Sequence, residues 1–320
     1  MDDPDALAAA LDALLARTDP GARLAADPLH LLARYTSPED IALAAVFVSA
    51  LSFGRVAAFL PVAAAVLDVA DAHGGPAAFL RGWTPARGDG LLPLQHRWVR
   101  GLDLALLAGA LARAEAGQPL GARFVAAWRP GEADLGPALD RVILTLREAA
   151  LDEARARAAA AGEPAPAGWG ALPRGLRSLL CRPAEGSACK RWCMFLRWMV
   201  RPPAPSEGGV DLGLWPLPAA ALVIPLDTHV HRLAGYLGLT ARNDGSFRTA
   251  QEITAALRRL RPDDPLRWDF ALAHHGISGA CTGEVLPQRC DPCPLRLRCS
   301  RWGAAAGDGL AGPPDRTERG

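Results

Sequence analysis

Four cysteines near the C-terminal end are the residues whose type and spacing most clearly predict chemistry. Cys281, Cys290, Cys293 and Cys299 fall within 19 residues, with the spacing C-x8-C-x2-C-x5-C. Four thiolates satisfy either a 4Fe–4S cluster or a tetrahedral zinc ion. Structural zinc usually has two close cysteine pairs, and only Cys290 and Cys293 form such a pair here. The spacing therefore favours the iron–sulfur cluster, with zinc as the alternative cofactor.

The N-terminal segment and the most apolar run indicate the compartment. The first five residues are acidic and lack a signal-peptide pattern. The most apolar run, residues 41–53, is too short to cross a bilayer. We therefore expect a cytoplasmic protein without membrane contact, in which clustered cysteines bind metal rather than form disulfides. Cys189 and Cys193, one helical turn apart, are expected to pack as small apolar residues.

Lys190 is the chain's single lysine among 35 basic side chains; the other 34 are arginine. In a chain that uses arginine wherever positive charge suffices, the one lysine can mark a position that arginine cannot fill. An amine can lose its proton and act as a nucleophile, whereas a guanidinium cannot. The alternative is an ordinary surface lysine that has no catalytic role.

The elements that must position these residues are predicted to be helices. Alanine and leucine are abundant and β-branched residues are sparse, which favours an all-α protein. Ser37, Pro38, Glu39 and Asp40 form a helix-start pattern before the apolar run. Further helices are expected near residues 5–17, 55–71, 102–116, 136–160, 172–181, 187–201, 228–239, 248–260 and 265–275.

Positive charge is concentrated in residues 174–201, where seven basic side chains stand against one acidic residue, Glu185. Such an excess beside a helix–turn–helix pattern predicts a surface that faces phosphates. The alternative is a solvated helix face.

Four motifs occur in the order found in one enzyme superfamily. They are residues 48–52 (VSALS), residues 186–190 (GSACK), residues 226–229 (LDTH) and residues 268–276, which end in His-Gly just before the cysteines. On these residues the chain resembles the endonuclease III branch of the helix-hairpin-helix (HhH-GPD) DNA glycosylase superfamily. It is also similar to an uncharacterised bacterial family of related architecture.

The resemblance implies a two-lobed all-α fold with a C-terminal iron–sulfur cluster loop. In this interpretation residues 1–35 form an N-terminal helix that packs on the cluster lobe, and residues 36–201 form a helical bundle ending in the hairpin. A Pro-rich inserted loop then occupies residues 202–218. Residues 219–302 form the second lobe, with the catalytic aspartate and the cluster loop. Residues 303–320 are expected to be a disordered tail.

The resemblance also implies a base-excision DNA glycosylase with AP-lyase activity, acting as a monomer on duplex DNA that contains a damaged base. Asp227 would be the carboxylate that stabilises positive charge on the sugar, and it would also cap the helix that follows. Lys190 would attack the sugar and form a Schiff base, with Ser187 as the N-cap of its helix. The implied DNA contacts are Leu51, Gly186, Ser187, Ala188, Arg191, Arg197 and His229.

The chain departs from the superfamily pattern at several positions. The first two cluster cysteines are separated by eight residues instead of six, Ala188 replaces a hairpin glycine, and Leu51 replaces a glutamine. The Pro-rich loop adds about twenty residues between Lys190 and Asp227. Two alternatives therefore stay open: a non-catalytic DNA-binding protein with the same fold and cluster, and a zinc-stabilised helical interaction module.

Overall fold

The computed structural model of the protein describes residues 3–19, 21, 27–203 and 211–307. This part of the chain is mostly helical and has almost no strand, so the expected all-α class is confirmed. No helix in the described ranges is both long enough and apolar enough to span a membrane.

The helices follow one another along the chain, and a single short hairpin interrupts them. The α-helices are α1 (Pro4–Ala16), α2 (Pro38–Leu51), α3 (Val56–Asp71), α4 (Pro76–Arg81), α5 (Gly101–Gly117), α6 (Leu120–Ala127), α7 (Gly136–Ala161), α8 (Arg174–Leu179), α9 (Lys190–Val200), α10 (Thr228–Tyr236), α11 (Phe247–Leu260), α12 (Asp269–Ile277), α13 (Pro287–Cys290) and α14 (Ser300–Gly307). Strands β1 (Gln95–His96) and β2 (Val99–Arg100) pair antiparallel between α4 and α5.

Helix starts follow from local sequence. Ser37 caps α2 through a bond from the Asp40 amide, as its helix-start pattern predicts. Asp3 and Ser246 cap α1 and α11 in the same way. The longest helix, α7, ends at Gly162, whose left-handed φ of 72° is the usual glycine stop signal.

The apolar core is continuous through the described part of the chain. Its buried residues extend from Leu7 in α1 to Leu295 in the segment with the cysteines, and α5 packs along α7 at its centre. Helix α9 lies within this core, because every residue from Trp192 to Val200 is buried. The enclosed part of α9, residues 192–200, cannot present a basic residue to a large ligand; Lys190, at the start of the helix, lies outside this part.

Side chains join the N-terminal helix to the C-terminal segment. Asp12 accepts hydrogen bonds from the Trp268 indole at 2.8 Å and from Arg267 at 3.2 Å. Asp3 accepts one from Arg298 at 3.1 Å. Residues far apart in sequence thus share one packing unit around the cysteine segment.

Two local expectations need correction, and several short elements were not predicted. Residue 187 does not begin a helix: α9 starts at Lys190, after Cys189 in a left-handed conformation. The tail predicted to be disordered from residue 303 is helical to Gly307, and residues 308–320 lie outside the described residues. Helices α4 and α6 and the β-hairpin have no counterpart among the sequence predictions, because each is too short to give a clear period.

Candidate functional site

Lys190 is the first residue of α9 and is half-buried. Its amine forms no hydrogen bond or ion pair with any residue in the described ranges. Most of the protein's other buried or half-buried cations have an acidic or carbonyl partner, as Arg147, Arg197 and Arg201 do. The single lysine is therefore a cation whose amine is available to a ligand.

Asp227 caps α10 and keeps one carboxylate oxygen available. Its Oδ1 accepts the amides of His229 and Val230, each at 2.9 Å. The capping role expected from the sequence is confirmed. Oδ2 has no hydrogen-bond partner in the described part of the chain, and the side chain is only half-buried. Cap and catalyst are therefore compatible roles for this residue. No direct hydrogen bond or ion pair joins Lys190 to Asp227.

His229 lies in the first turn of α10 and packs against the adjacent helix, α12. It is half-buried, and Gly276 of α12 packs against it so closely that a Cβ at that position would lie 2.5 Å from the His229 Cβ. Its Nδ1 lies 3.5 Å from Arg232, which donates to the Cys281 carbonyl at 2.8 Å. This chain of contacts links the Asp227 helix to the first of the four cysteines.

The hairpin between α8 and α9 is held by backbone contacts. Gly186 is exposed with φ of 81°, and its carbonyl accepts the Phe247 amide at 3.4 Å. Ser187 Oγ accepts the Cys189 amide at 3.2 Å, so it stabilises the turn and does not cap α9 as predicted. Ala188 is half-buried. Gly186 thus remains the hairpin position most open to a ligand.

Arg197 is not on the surface, which corrects its prediction as a DNA contact. The side chain is 5% exposed and forms ion pairs with Asp211 and Asp269 inside the protein. These two carboxylates outweigh the burial of the guanidinium and raise the pKa of Arg197 further above its ordinary value. Arg201 is similarly buried between Asp211 and Asp264.

Arg191 and Leu51 are also interior residues. Arg191 donates to the carbonyls of Ala50 (2.9 Å) and Ser178 and lies over the Phe53 ring. Leu51 is 0% exposed, so in this conformation it cannot act as the wedge that its motif position suggests. Both residues instead join α2 to α8 and α9. The basic surface expected over residues 174–201 is reduced to its first part, α8.

The sequence analysis did not predict one exposed surface, which contains a tryptophan and several arginines. Trp98, in the β-hairpin, is 48% exposed, stacks on Phe53 with ring centroids 4.8 Å apart, and donates to Ser178 Oγ at 3.2 Å. Four exposed arginines lie in the hairpin or on the elements that contact it: Arg55, Arg97, Arg174 and Arg177. None of them forms an ion pair within the described ranges. We call these five residues the arginine–tryptophan surface.

The signal for this surface was present in the sequence but not distinctive. Residues 96–100 read His-Arg-Trp-Val-Arg, a basic aromatic run in a region without a clear helical period. Only the folded chain brings that run beside α8 and the end of α2, through the contacts of Trp98 with Ser178 and Phe53.

The four predicted cluster cysteines line one cavity. Cys281, Cys290, Cys293 and Cys299 share it with arginines 289, 296 and 301. Burial raises the pKa of the Cys293 thiol, and the other three cysteines add to the rise because their thiolates would repel its charge. The Cys293 Sγ also lies 3.6 Å from His275 Nε2.

This donor set fits a thiolate-bound metal group. The four thiols line one cavity and would repel one another as anions, so a cationic centre between them would relieve this repulsion. The side chains are not arranged in ligand geometry: no three His, Cys, Asp or Glu side chains in the described ranges are close enough together to hold a metal ion as they stand.

Comparison with known proteins shows the family of the chain. The family model described as a protein of unknown function, DUF2400, matches residues 27–278. None of the curated proteins and none of the solved structures compared with the chain matches it. The family match covers most of the chain, includes Lys190 and Asp227, and ends before Cys281. The chain belongs to the DUF2400 family.

Proposed function

We propose that this DUF2400 family member is a cytoplasmic DNA base-excision glycosylase with AP-lyase activity, built on a two-lobed helix-hairpin-helix glycosylase fold. The observation that carries the proposal is the unpaired amine of Lys190. The next residue, Arg191, contacts Phe53 and Ser178, the two residues that also contact Trp98 of the arginine–tryptophan surface. An available amine, an exposed tryptophan and arginines without ion pairs together suit a damaged nucleotide in a duplex.

The arginine–tryptophan surface would bind the DNA. Unpaired arginines neutralise phosphates and release counterions, and an exposed indole stacks on a base or fills the space that a flipped base leaves. Trp98 takes the wedge role that Leu51 cannot fill, and Phe53 supports it from behind. Gly186, Ser187 and Ala188 would present the hairpin to the backbone, with Arg174 and Arg177 beside it.

The chemistry would be divided between two residues. The available oxygen of Asp227 would stabilise the positive charge that develops on the sugar as the glycosidic bond breaks. The Lys190 amine would attack the anomeric carbon and form a Schiff base, after which β-elimination cleaves the strand. Base flipping would bring the sugar to both groups.

Cys281, Cys290, Cys293 and Cys299 would hold a 4Fe–4S cluster, with zinc as the alternative. The bound group would supply a structural centre that orders residues 281–299, which have only short helical segments of their own. The chain's own contacts from Arg232 to the Cys281 carbonyl then connect that loop to the Asp227 helix.

A non-catalytic DNA-binding protein is the second candidate. The arginine–tryptophan surface would bind DNA without any chemistry, and the absence of a direct contact between Lys190 and Asp227 favours this alternative. The two candidates differ in one measurable property, which is covalent reaction with a sugar.

The test is borohydride trapping on DNA that contains an abasic site or a damaged base. Wild-type protein should form a covalent adduct that maps to Lys190, because only an amine makes a reducible Schiff base. Lys190→Arg should retain DNA binding and lose the adduct. Asp227→Asn retains an oxygen for the α10 cap but removes the charge, so base release should fall by orders of magnitude.

The chain's single lysine makes the mapping clear, since the only competing amine is the N-terminus. An adduct at Met1, or unchanged base release by Asp227→Asn, would refute the catalytic assignment. Salt-dependent DNA binding with no reaction on a broad panel of lesions would establish the second candidate.

A further inference from the structure

Two cysteines outside the C-terminal loop face each other across the hairpin. Cys181 follows α8, Cys189 precedes α9, and their Sγ atoms lie 3.8 Å apart. The sequence analysis expected Cys189 to pack as a small apolar residue. It is buried, but its thiol points at a second thiol and at the Cys181 carbonyl, 3.4 Å away.

The distance between the two thiols is short enough for a disulfide. A disulfide needs sulfur atoms about 2.05 Å apart, so the pair has less than about 2 Å to close. Cys189 has φ of 47°, and besides Arg97 it is the only non-glycine residue in the described ranges with positive φ. The turn before α9 is therefore held in an uncommon, strained backbone conformation.

The two thiols differ in acidity. The hydrogen bond between the two thiols lowers the pKa of the Cys181 thiol below its usual range despite its burial, and Ser187 and Arg191 add to this effect. The pKa of Cys189 is raised by the same hydrogen bond and by burial. Cys181 is also half-buried, whereas Cys189 and Cys193 are buried. The pair therefore combines a half-buried, more acidic thiol with a buried, less acidic partner.

We propose that Cys181 and Cys189 form an oxidisable dithiol site that reacts with hydroperoxides and closes to a reversible disulfide. The Cys181 thiolate attacks the O–O bond of the hydroperoxide, becomes a sulfenic acid, and releases the alcohol or water after protonation. The Cys189 thiol then attacks the Cys181 sulfur, the S–O bond breaks, and the hydroxide leaves as water with the Cys189 proton. The dithiol loses two electrons and the peroxide gains them.

The disulfide would close a loop of residues 181–189, which includes Gly186 and Ser187 and ends one residue before Lys190. Arg182 anchors this loop to Asp140 at 3.1 Å, and Glu185 anchors it to Arg147 at 2.7 Å. Residues 186–189, between these anchors and α9, must therefore change conformation when the disulfide forms. The dithiol site is independent of the proposed glycosylase activity, because its chemistry involves only the two thiols and the peroxide.

The sequence makes the test direct. Trypsin cleaves after Arg177 and Lys190 but not between Arg182 and Pro183, so one peptide, residues 178–190, contains Cys181 and Cys189 and no other cysteine. Reduced full-length protein is treated with stoichiometric hydrogen peroxide, alkylated, digested and analysed by mass spectrometry. We expect this peptide to lose two hydrogens and to resist alkylation until a thiol reductant is added.

Three variants control the experiment. Cys189→Ser should prevent the disulfide and leave a Cys181 sulfenic acid that dimedone traps. Cys181→Ser should leave Cys189 unmodified. Cys193→Ser should still form the disulfide, because Cys193 is buried in α9 and contacts the Ala188 carbonyl instead. A peptide that remains fully alkylated in wild-type protein, or a disulfide between Cys181 and Cys193, would overturn the proposal whether or not the protein acts on DNA.

Discussion

The Arg197 guanidinium donates to the Asp211 carboxylate at 3.0 Å inside the protein, 14 residues along the chain. The same carboxylate accepts from Arg201 at 3.2 Å. Asp211 lies within the Pro-rich loop (residues 202–218), just after residues 204–210, which are outside the described residues. Trp215 of the same loop stacks on Phe124 and contacts Phe195 edge to face. The second half of the loop, residues 211–218, therefore packs against the core, and a buried ion-pair network joins it to α9.

Removing Asp211 should be strongly destabilising. Asp211→Ala leaves Arg197 and Arg201 short of one buried countercharge, and loss of one partner of a buried pair typically costs about 3–5 kcal/mol. Urea unfolding measures the free energy of unfolding. The matched control is Asp152→Ala, which removes an exposed pair with Arg155 and should change it by about 1 kcal/mol at most. Equal effects of the two variants would contradict the buried network.

The arginine–tryptophan surface should dominate DNA affinity if the proposed function holds. Trp98→Ala removes the exposed indole and should weaken binding at lesions by about 1–3 kcal/mol through lost stacking. Arg177→Glu should weaken binding to all sequences and reduce the slope of affinity against salt, by about one unit for each phosphate contact. Fluorescence anisotropy at several salt concentrations measures both effects.

Arg129→Glu is the control for charge alone, because Arg129 is exposed and lies outside the arginine–tryptophan surface. It should leave the salt slope nearly unchanged. The surface would be the wrong one if Arg129→Glu and Arg177→Glu reduced affinity equally.

Anaerobically purified protein should be yellow-brown and carry about four iron atoms per chain, as a 4Fe–4S cluster requires. Cys293→Ser should remove the colour and the iron and should destabilise the C-terminal segment. Cys181→Ser is the matched control, since Cys181 lies outside the four-cysteine cavity, and it should retain both. Elemental analysis decides between the cofactors, because one zinc atom without iron would support the alternative site.

Acid should weaken the anchor between Glu185 and Arg147. The hydrogen bonds from Arg147 hold the pKa of Glu185 below its ordinary value of 4.5, and Arg182 contributes while Asp140 opposes. A lowered pKa means that the folded state favours the carboxylate. The stabilisation is therefore complete above pH 4.5 and is lost as the pH falls through the folded-state pKa.

Glu185→Gln should reveal this dependence by comparison with the wild type. The variant should be less stable at about pH 7, and the difference in free energy of unfolding should shrink towards about pH 3. Glu39→Gln breaks a more exposed pair with Arg81 and should show a smaller difference throughout. If the difference in free energy of unfolding between the wild type and Glu185→Gln increased in acid, the assigned direction of the pKa shift would be wrong.

Most helices were predictable because their causes are local. The bounds of α3, α5, α7 and α11 agree within one or two residues with the apolar periodicity, and the caps of α2 and α10 follow from Ser37 and Asp227. Hydrogen bonding within a helix and capping at its start involve residues at most four apart, so the sequence alone determines them. The single lysine and the spacing of the four clustered cysteines, on which the proposed chemistry depends, are also read directly from the sequence.

Only the tertiary structure decided which charged and apolar side chains face water. Arg191 and Arg197 lie in a basic stretch, yet the carbonyl of Ala50 and the carboxylates of Asp211 and Asp269 bind them inside the protein. Trp98 is an aromatic residue that stays exposed, and Cys181 meets Cys189 across a turn. These outcomes depend on partners that are distant in sequence or on the path of a turn, and local periodicity contains no information about either.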